Sequence, residues 1–301
     1  MNKKESAQTQ RQLYDIYCGI IFNAQQFEEG DGAIKYELNC PEYGELLQKY
    51  PIERVAGRGG DFERALRVCR WLHPGLKHNS YYDNHIPCNS LALMEYSFNK
   101  PEQGINCLNK AKILAECCLA LGIYARRMYM MPYSPYDIDN HVVTEIYDRA
   151  RAKWIMLDPT TGAYIADKDG EPLSLLEARK CAGEGKLMTA VTARQSKKDM
   201  KALFGRNLAE GYNAYYAKNM AYFGVDMVNK FGKEGGVAYL VPTGLNLKKK
   251  TVQTMQYRVD MLTGMNKPEL AALFEKRRDD LIKADEPTRI SEKTFSAAPK
   301  M

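Results

Sequence analysis

Nucleophilic catalysis by a thiol needs a cysteine kept ionised near neutral pH, a base that moves its proton, and a third group that orients that base. Cys107, His141 and Asp158 are placed to supply these three parts. Cys107 follows the glycine-containing loop Gly104-Ile105-Asn106 and opens a run with apolar residues at Leu108, Ala111, Ala115, Cys118 and Leu119. That spacing predicts an amphipathic helix over 107–121, ended by Gly122. A thiol at its start meets unpaired N–H groups and the positive end of the helix dipole, both of which favour a thiolate.

His141 and Asp158 are tied together by the elements that carry them. Residues 123–131 read as a strand, 132–140 as a turn-rich loop, and 141–147 and 153–157 as two β-rich runs around a polar connection. If the last two runs pair as an antiparallel hairpin, the start of one lies beside the end of the other. His141 begins the first run and Asp158 ends the second, so the pattern predicts a histidine–aspartate pair at one edge of a sheet. Taken singly, each residue has a plainer role: a cysteine is most often a small buried hydrophobe, and an aspartate before proline is most often a turn residue. Cys69, Cys117 and Cys118 keep that plainer reading.

Four elements in order resemble the transglutaminase-like superfamily, whose core is papain-like. They are Cys107 with Ala111; Leu121-Gly122-Ile123-Tyr124-Ala125-Arg126; His141-Val142-Val143-Thr144-Glu145-Ile146-Tyr147; and Trp154-Ile155-Met156-Leu157-Asp158-Pro159-Thr160. The resemblance covers residues 104–162. Two positions depart from it: Tyr124 stands where the family usually has proline, and Val143 where many members have tryptophan, a difference that bears on substrate preference. The helical lead-in and the Asp167–Arg179 continuation look similar to bacterial members of unassigned function. The resemblance implies an α+β fold, with a nucleophile helix packed on an antiparallel sheet, a helical N-terminal lead-in and a mixed C-terminal extension. It also implies cysteine-dependent acyl transfer on peptide or protein amides through a thioester. Water as acceptor gives a protease or deamidase, and an amine gives a cross-linking transglutaminase. The polar loop 132–140 and the scarcity of tryptophan (Trp71 and Trp154 alone) favour hydrolysis. A non-catalytic peptide- or protein-binding domain is the alternative.

The backbone N–H of Cys107 is the expected first oxyanion donor, with Asn106 and His78 as candidates for the second. Glu145, on the same strand face as His141, and Trp154 are candidates for support of the site. His73, His78 and His85 sit in a stretch rich in Pro, Gly and Asn, where loop packing outweighs metal binding. No EF-hand loop or CxxC pair is present, so neither metal nor cofactor is expected.

Composition bounds the rest. The 301 residues are 45% hydrophobic, ordinary globular usage. No run approaches the roughly 20 apolar residues that span a bilayer. Eight cysteines without a paired pattern suit reduced thiols and a cytoplasmic protein, although a removed leader would leave no trace. Residues 1–185 carry 22 basic and 25 acidic side chains, and residues 186–301 carry 21 and 12, so the net charge of +6 combines −3 and +9. The expected organisation is a catalytic domain over 1–185 and a basic accessory region over 186–301. The basic region could meet an acidic partner, but it lacks any nucleic-acid motif. Helices are expected over 6–27, over 61–72 with Asp61 as cap, over 197–221 and over 267–283, a strand over 237–241, and a frayed polar tail from Asp285.

Overall fold

The computed structural model describes residues 3–193 and 208–300. The chain forms α1 (Lys3–Phe22), β1 (Lys35–Tyr36), α2 (Pro41–Lys49), α3 (Ile52–Ala56), α4 (Asp61–Gly75), α5 (Ser90–Asn99) and α6 (Cys107–Ala120). Then come β2 (Ala125–Met131), β3 (His141–Asp148), β4 (Lys153–Asp158), β5 (Ala163–Ala166), α7 (Leu175–Gly183) and β6 (Thr189–Thr192). A helix over Leu208–Lys218, strands β7 (Tyr222–Asp226), β8 (Val228–Asn229) and β9 (Val237–Leu240), a helical hairpin (Leu247–Gly264, Pro268–Lys283) and a short helix (Glu292–Ser296) complete it.

Seven strands form one antiparallel sheet in the order β6-β5-β4-β3-β2-β7-β9. The fold is α+β, as expected. Strands from both sides of the 185/186 composition boundary therefore share one sheet. Helices cover both faces, which is why β3 is buried at every position but Tyr147. On one face Ile146, Ile155 and Leu157 join Ile113, Leu114 and Cys118 of α6. On the other, Met128, Val143 and Met156 pack with Tyr14 of α1 and with Tyr212 and Tyr216 of the Leu208–Lys218 helix. The Thr144 hydroxyl donates to the Ala111 carbonyl at 3.0 Å, pinning the central strand to α6.

Several local expectations change. The buried stripe of α1 is Tyr14, Cys18 and Ile21, while Leu13 and Ile16 are exposed. These three form an i, i+4, i+7 row, the helical face that packs inward. Helix α4 continues through Pro74, because a proline in the last turn sacrifices one N–H, and Leu76 N–H still reaches the Leu72 and His73 carbonyls. Asp61 does not cap α4; its carboxylate takes the Arg149 guanidinium at 2.7 Å through each oxygen. The tail is not frayed: Ile290 and Phe295 are core residues, and Tyr239 N–H donates to the Thr288 carbonyl at 2.8 Å. Of the helix expected over 197–221, residues 208–218 are helical and residues 197–207 lie outside the described residues. No described helix is long and apolar enough to cross a membrane.

Candidate active site

Gly104 turns the chain at φ +70°, where a side chain would sit 3.0 Å from the Lys77 carbonyl. The strand-like contact that follows, Ile105 N–H to Lys77 O at 2.9 Å and Asn79 N–H to Ile105 O at 3.0 Å, straps the His78 segment beside the start of α6. Asn106 caps the helix by accepting from Asn109 N–H at 3.2 Å. Cys107 is the first helical residue, partly exposed.

The hairpin pairs Thr144 with Leu157 and Asp148 with Lys153, which leaves His141 and Asp158 at the same end of adjacent strands. His141 Nε2 lies 3.0 Å from Asp158 Oδ2. The Cys107 side chain lies near enough to the ring to act on its charge, and both side chains line one cavity. With Nε2 committed to Asp158, Nδ1 is the nitrogen left for sulfur. Burial disfavours a charged imidazole, but the Asp158 carboxylate with its hydrogen bond and the nearby Cys107 side chain outweigh it and raise the His141 pKa to about 10. Asp158 is fully buried, which alone would favour its neutral form. Imidazolium, the Tyr216 hydroxyl and the Thr160 N–H (2.8 Å) together hold it well below the usual carboxylate range.

Tyr216 is a residue that motif reading passes over. It donates to Asp158 Oδ2 at 2.5 Å, stacks on Tyr212 with ring centroids 4.2 Å apart, and with Tyr215 walls the His141 ring edge-to-face, both at 5.7 Å. The available signal was the tyrosine spacing at 212, 215 and 216, an i, i+3, i+4 row on one helix face.

Cys107 and His141 line a cavity of about 670 Å³, together with His78, Asn106, Tyr215 and Arg258. Of the two upstream candidates, Asn106 is committed to its cap, since its amide also donates to Asn84 Oδ1 at 3.1 Å. His78 Nε2 pairs with Ser80 Oγ at 2.9 Å, and burial with the nearby Lys110 and His141 charges lowers its pKa to about 4, so it is neutral. The structure places Glu145 and Trp154 elsewhere, around a separate cavity of about 330 Å³. Val143 is likewise a core residue and does not line the cleft. Among the described residues no group of three or more His, Cys, Asp or Glu side chains is placed to hold a metal ion.

The fold thus gathers a thiol at a helix start, a histidine opening one strand and an aspartate ending the next. Residues 49–159 match the family model of the transglutaminase-like superfamily. That match supports a cysteine-dependent enzyme at the level of the family. A crystal structure from Cytophaga hutchinsonii, described as a "putative cysteine protease", is 18% identical over 52% of this chain with a TM-score of 0.31, and the match spans 50% of that protein's length. The curated proteins give no match.

Proposed function

We propose that this protein opens peptide or protein amides through a thioester on Cys107, with water as the favoured acceptor. The observation that carries the reading is that Cys107 and His141 share one cleft, with His141 hydrogen-bonded to the buried Asp158 behind it. His141 holds a proton at neutral pH, and in this reading the attacking form of Cys107 is its thiolate. The thiolate attacks the carbonyl carbon, a C–S bond forms, and the C=O electron pair moves to oxygen, where the Cys107 backbone N–H at the helix start faces it. Collapse breaks the C–N bond as His141 gives its proton to the leaving amine. Water then loses a proton to His141 as its oxygen attacks the thioester, the C–S bond breaks, and an acid leaves with the thiolate restored. Asp158 stays ionised throughout, held by Tyr216 and Thr160, and keeps the ring aimed.

Support for water over an amine comes from the cleft wall. Ser80, Asn106, Asp139, Asn140, Thr160 and Thr161 line it, and neither Trp71 nor Trp154 does. A dry acceptor channel of the kind that shields a thioester from water is not built from such residues. The test incubates the protein with a glutamine-containing peptide library, with and without excess labelled amine, and seeks the acyl adduct on Cys107 by mass spectrometry. Ammonia release or backbone cleavage that stops in Cys107→Ala supports hydrolysis. Dominant amine incorporation assigns a transglutaminase instead. Peptide binding with no adduct and no product assigns a non-catalytic binding domain.

A further inference from the structure

We propose that Arg258 makes this cleft selective for substrates that carry a carboxylate next to the amide being opened. The inference rests on the reading of Cys107 as nucleophile and adds a substrate class to it.

Arg258 belongs to the helical hairpin over residues 247–283, remote in sequence from the residues that match the family model. The hairpin leans on the loop that precedes His141: Arg258 Nη2 donates to the Ile138 carbonyl at 3.2 Å, and Tyr257 meets Tyr136 edge-to-face at 5.6 Å. Those contacts bring the guanidinium to the wall of the Cys107 cavity. One face of the group lies 5.1 Å from the Phe274 ring. Its Nε is buried and makes no hydrogen bond.

Charge accounting around the cleft isolates this cation. Asp137 and Asp139, the acids of the neighbouring loop, are both taken by Lys218, at 2.9 and 3.0 Å. His78 is neutral. Apart from the Cys107–His141–Asp158 array, the charged side chains lining the cavity are Asp139 and Arg258. Of these, Arg258 has no acidic partner among the described residues. A half-buried guanidinium without an acidic partner is costly to hold unless an anion completes it, and a carboxylate supplies charge-assisted bonds in the geometry a guanidinium prefers. An acidic side chain beside the scissile bond and a free chain-end carboxylate offer the same chemistry.

Two measurements test this. The first alkylates Cys107 with iodoacetate and with iodoacetamide, reagents that differ chiefly in negative charge, and takes the ratio of the two rate constants. Arg258→Gln should lower the iodoacetate-to-iodoacetamide ratio about fivefold, Arg258→Glu should lower it further, and Arg258→Lys should restore most of it, the size expected for one partly screened charge at a cleft wall. An unchanged ratio in folded Arg258→Gln overturns the inference while leaving Cys107 as nucleophile. Failure of both reagents to modify Cys107 overturns the nucleophile reading and the inference with it. The second compares kcat/KM for peptide pairs differing as Glu/Gln beside the scissile amide, and as acid/amide at the chain end. The pair that loses its preference about tenfold in Arg258→Gln, mainly through KM, and reverses it in Arg258→Glu, names the carboxylate source. Equal losses for both members of each pair would show that Arg258 only holds the 132–140 loop, and would overturn the inference.

Discussion

Strand β3 carries two buried ion pairs on one face, four residues apart, and they differ in what they leave unused. At its start, His141 pairs with Asp158. Further along, Glu145 pairs with Arg126 at 2.6 Å, both side chains 1% exposed. Glu145 spends both oxygens: Oε2 accepts from Arg126 Nε and Nη2, and Oε1 accepts from Leu175 N–H at 2.8 Å. Arg126 in turn donates to the Phe295 carbonyl at 2.7 Å and lies 3.9 Å from the Trp154 ring. Trp154 donates its own N–H to Ala297. This network is closed, and it ties the C-terminal segment to the sheet. The His141 array is saturated on the Asp158 side alone; its other end is a partly exposed thiol on a cleft. A buried pair with every valence satisfied holds structure, whereas one with a valence left over can do chemistry.

The sharpest break in this comparison is Cys107→Ala. Acyl-adduct formation and turnover in the library assay should fall at least about 10³-fold, while stability changes by less than about 1 kcal/mol because the site loses a partly exposed sulfur. A melting shift like that of a core mutant would place Cys107 with the closed network instead.

Glu145→Ala should do the reverse. It leaves the buried Arg126 charge without its acid, which costs about 3–5 kcal/mol, read by denaturant unfolding, and it should loosen the tail so that protease clips near residue 297. Stability within 1 kcal/mol of the parent, roughly the effect of a surface pair, would mean that the Glu145–Arg126 network does not hold the fold.

Tyr216→Phe is a smaller cut at the open array. Removing one of the three donors to Asp158 should cost about 1 kcal/mol of stability and lower turnover roughly tenfold. Activity equal to the parent would mean that Tyr216 packs against His141 without positioning it.

The pH dependence of stability carries the last test. His141 has a folded pKa raised above its ordinary value to about 10. Its contribution is therefore complete below about pH 6.5 and is lost as pH rises toward 10. Asp158 is shifted the other way, so its contribution is present above the ordinary carboxylate range and is lost in acid as pH falls through its lowered folded value. Melting curves from pH 6.5 to 10 should decline less steeply in His141→Ala than in the parent, and parallel curves would remove the ion pair from the stability of this region.

Much of the site was legible because its parts are local. The start of α6, the β3–β4 hairpin and the placing of His141 beside Asp158 follow from apolar spacing, the Gly104 and Gly122 turns and antiparallel register, all expressed within a few residues of each side chain. Glu145 was harder to place, since period-two reading puts it on the face of His141 but says nothing of what comes to cover that face. Tyr216 reaches Asp158 across 58 residues, Arg258 reaches the His141 loop across 120, and Trp154 meets Ala297 across 143. Contacts of that separation leave no periodic mark on the chain. Charge composition set residues 186–301 apart, yet β7 pairs with β2 and β9 extends the same sheet. Net charge reports the solvent-facing surface, whereas strand pairing is decided by backbone hydrogen bonds and by which apolar faces find each other in three dimensions.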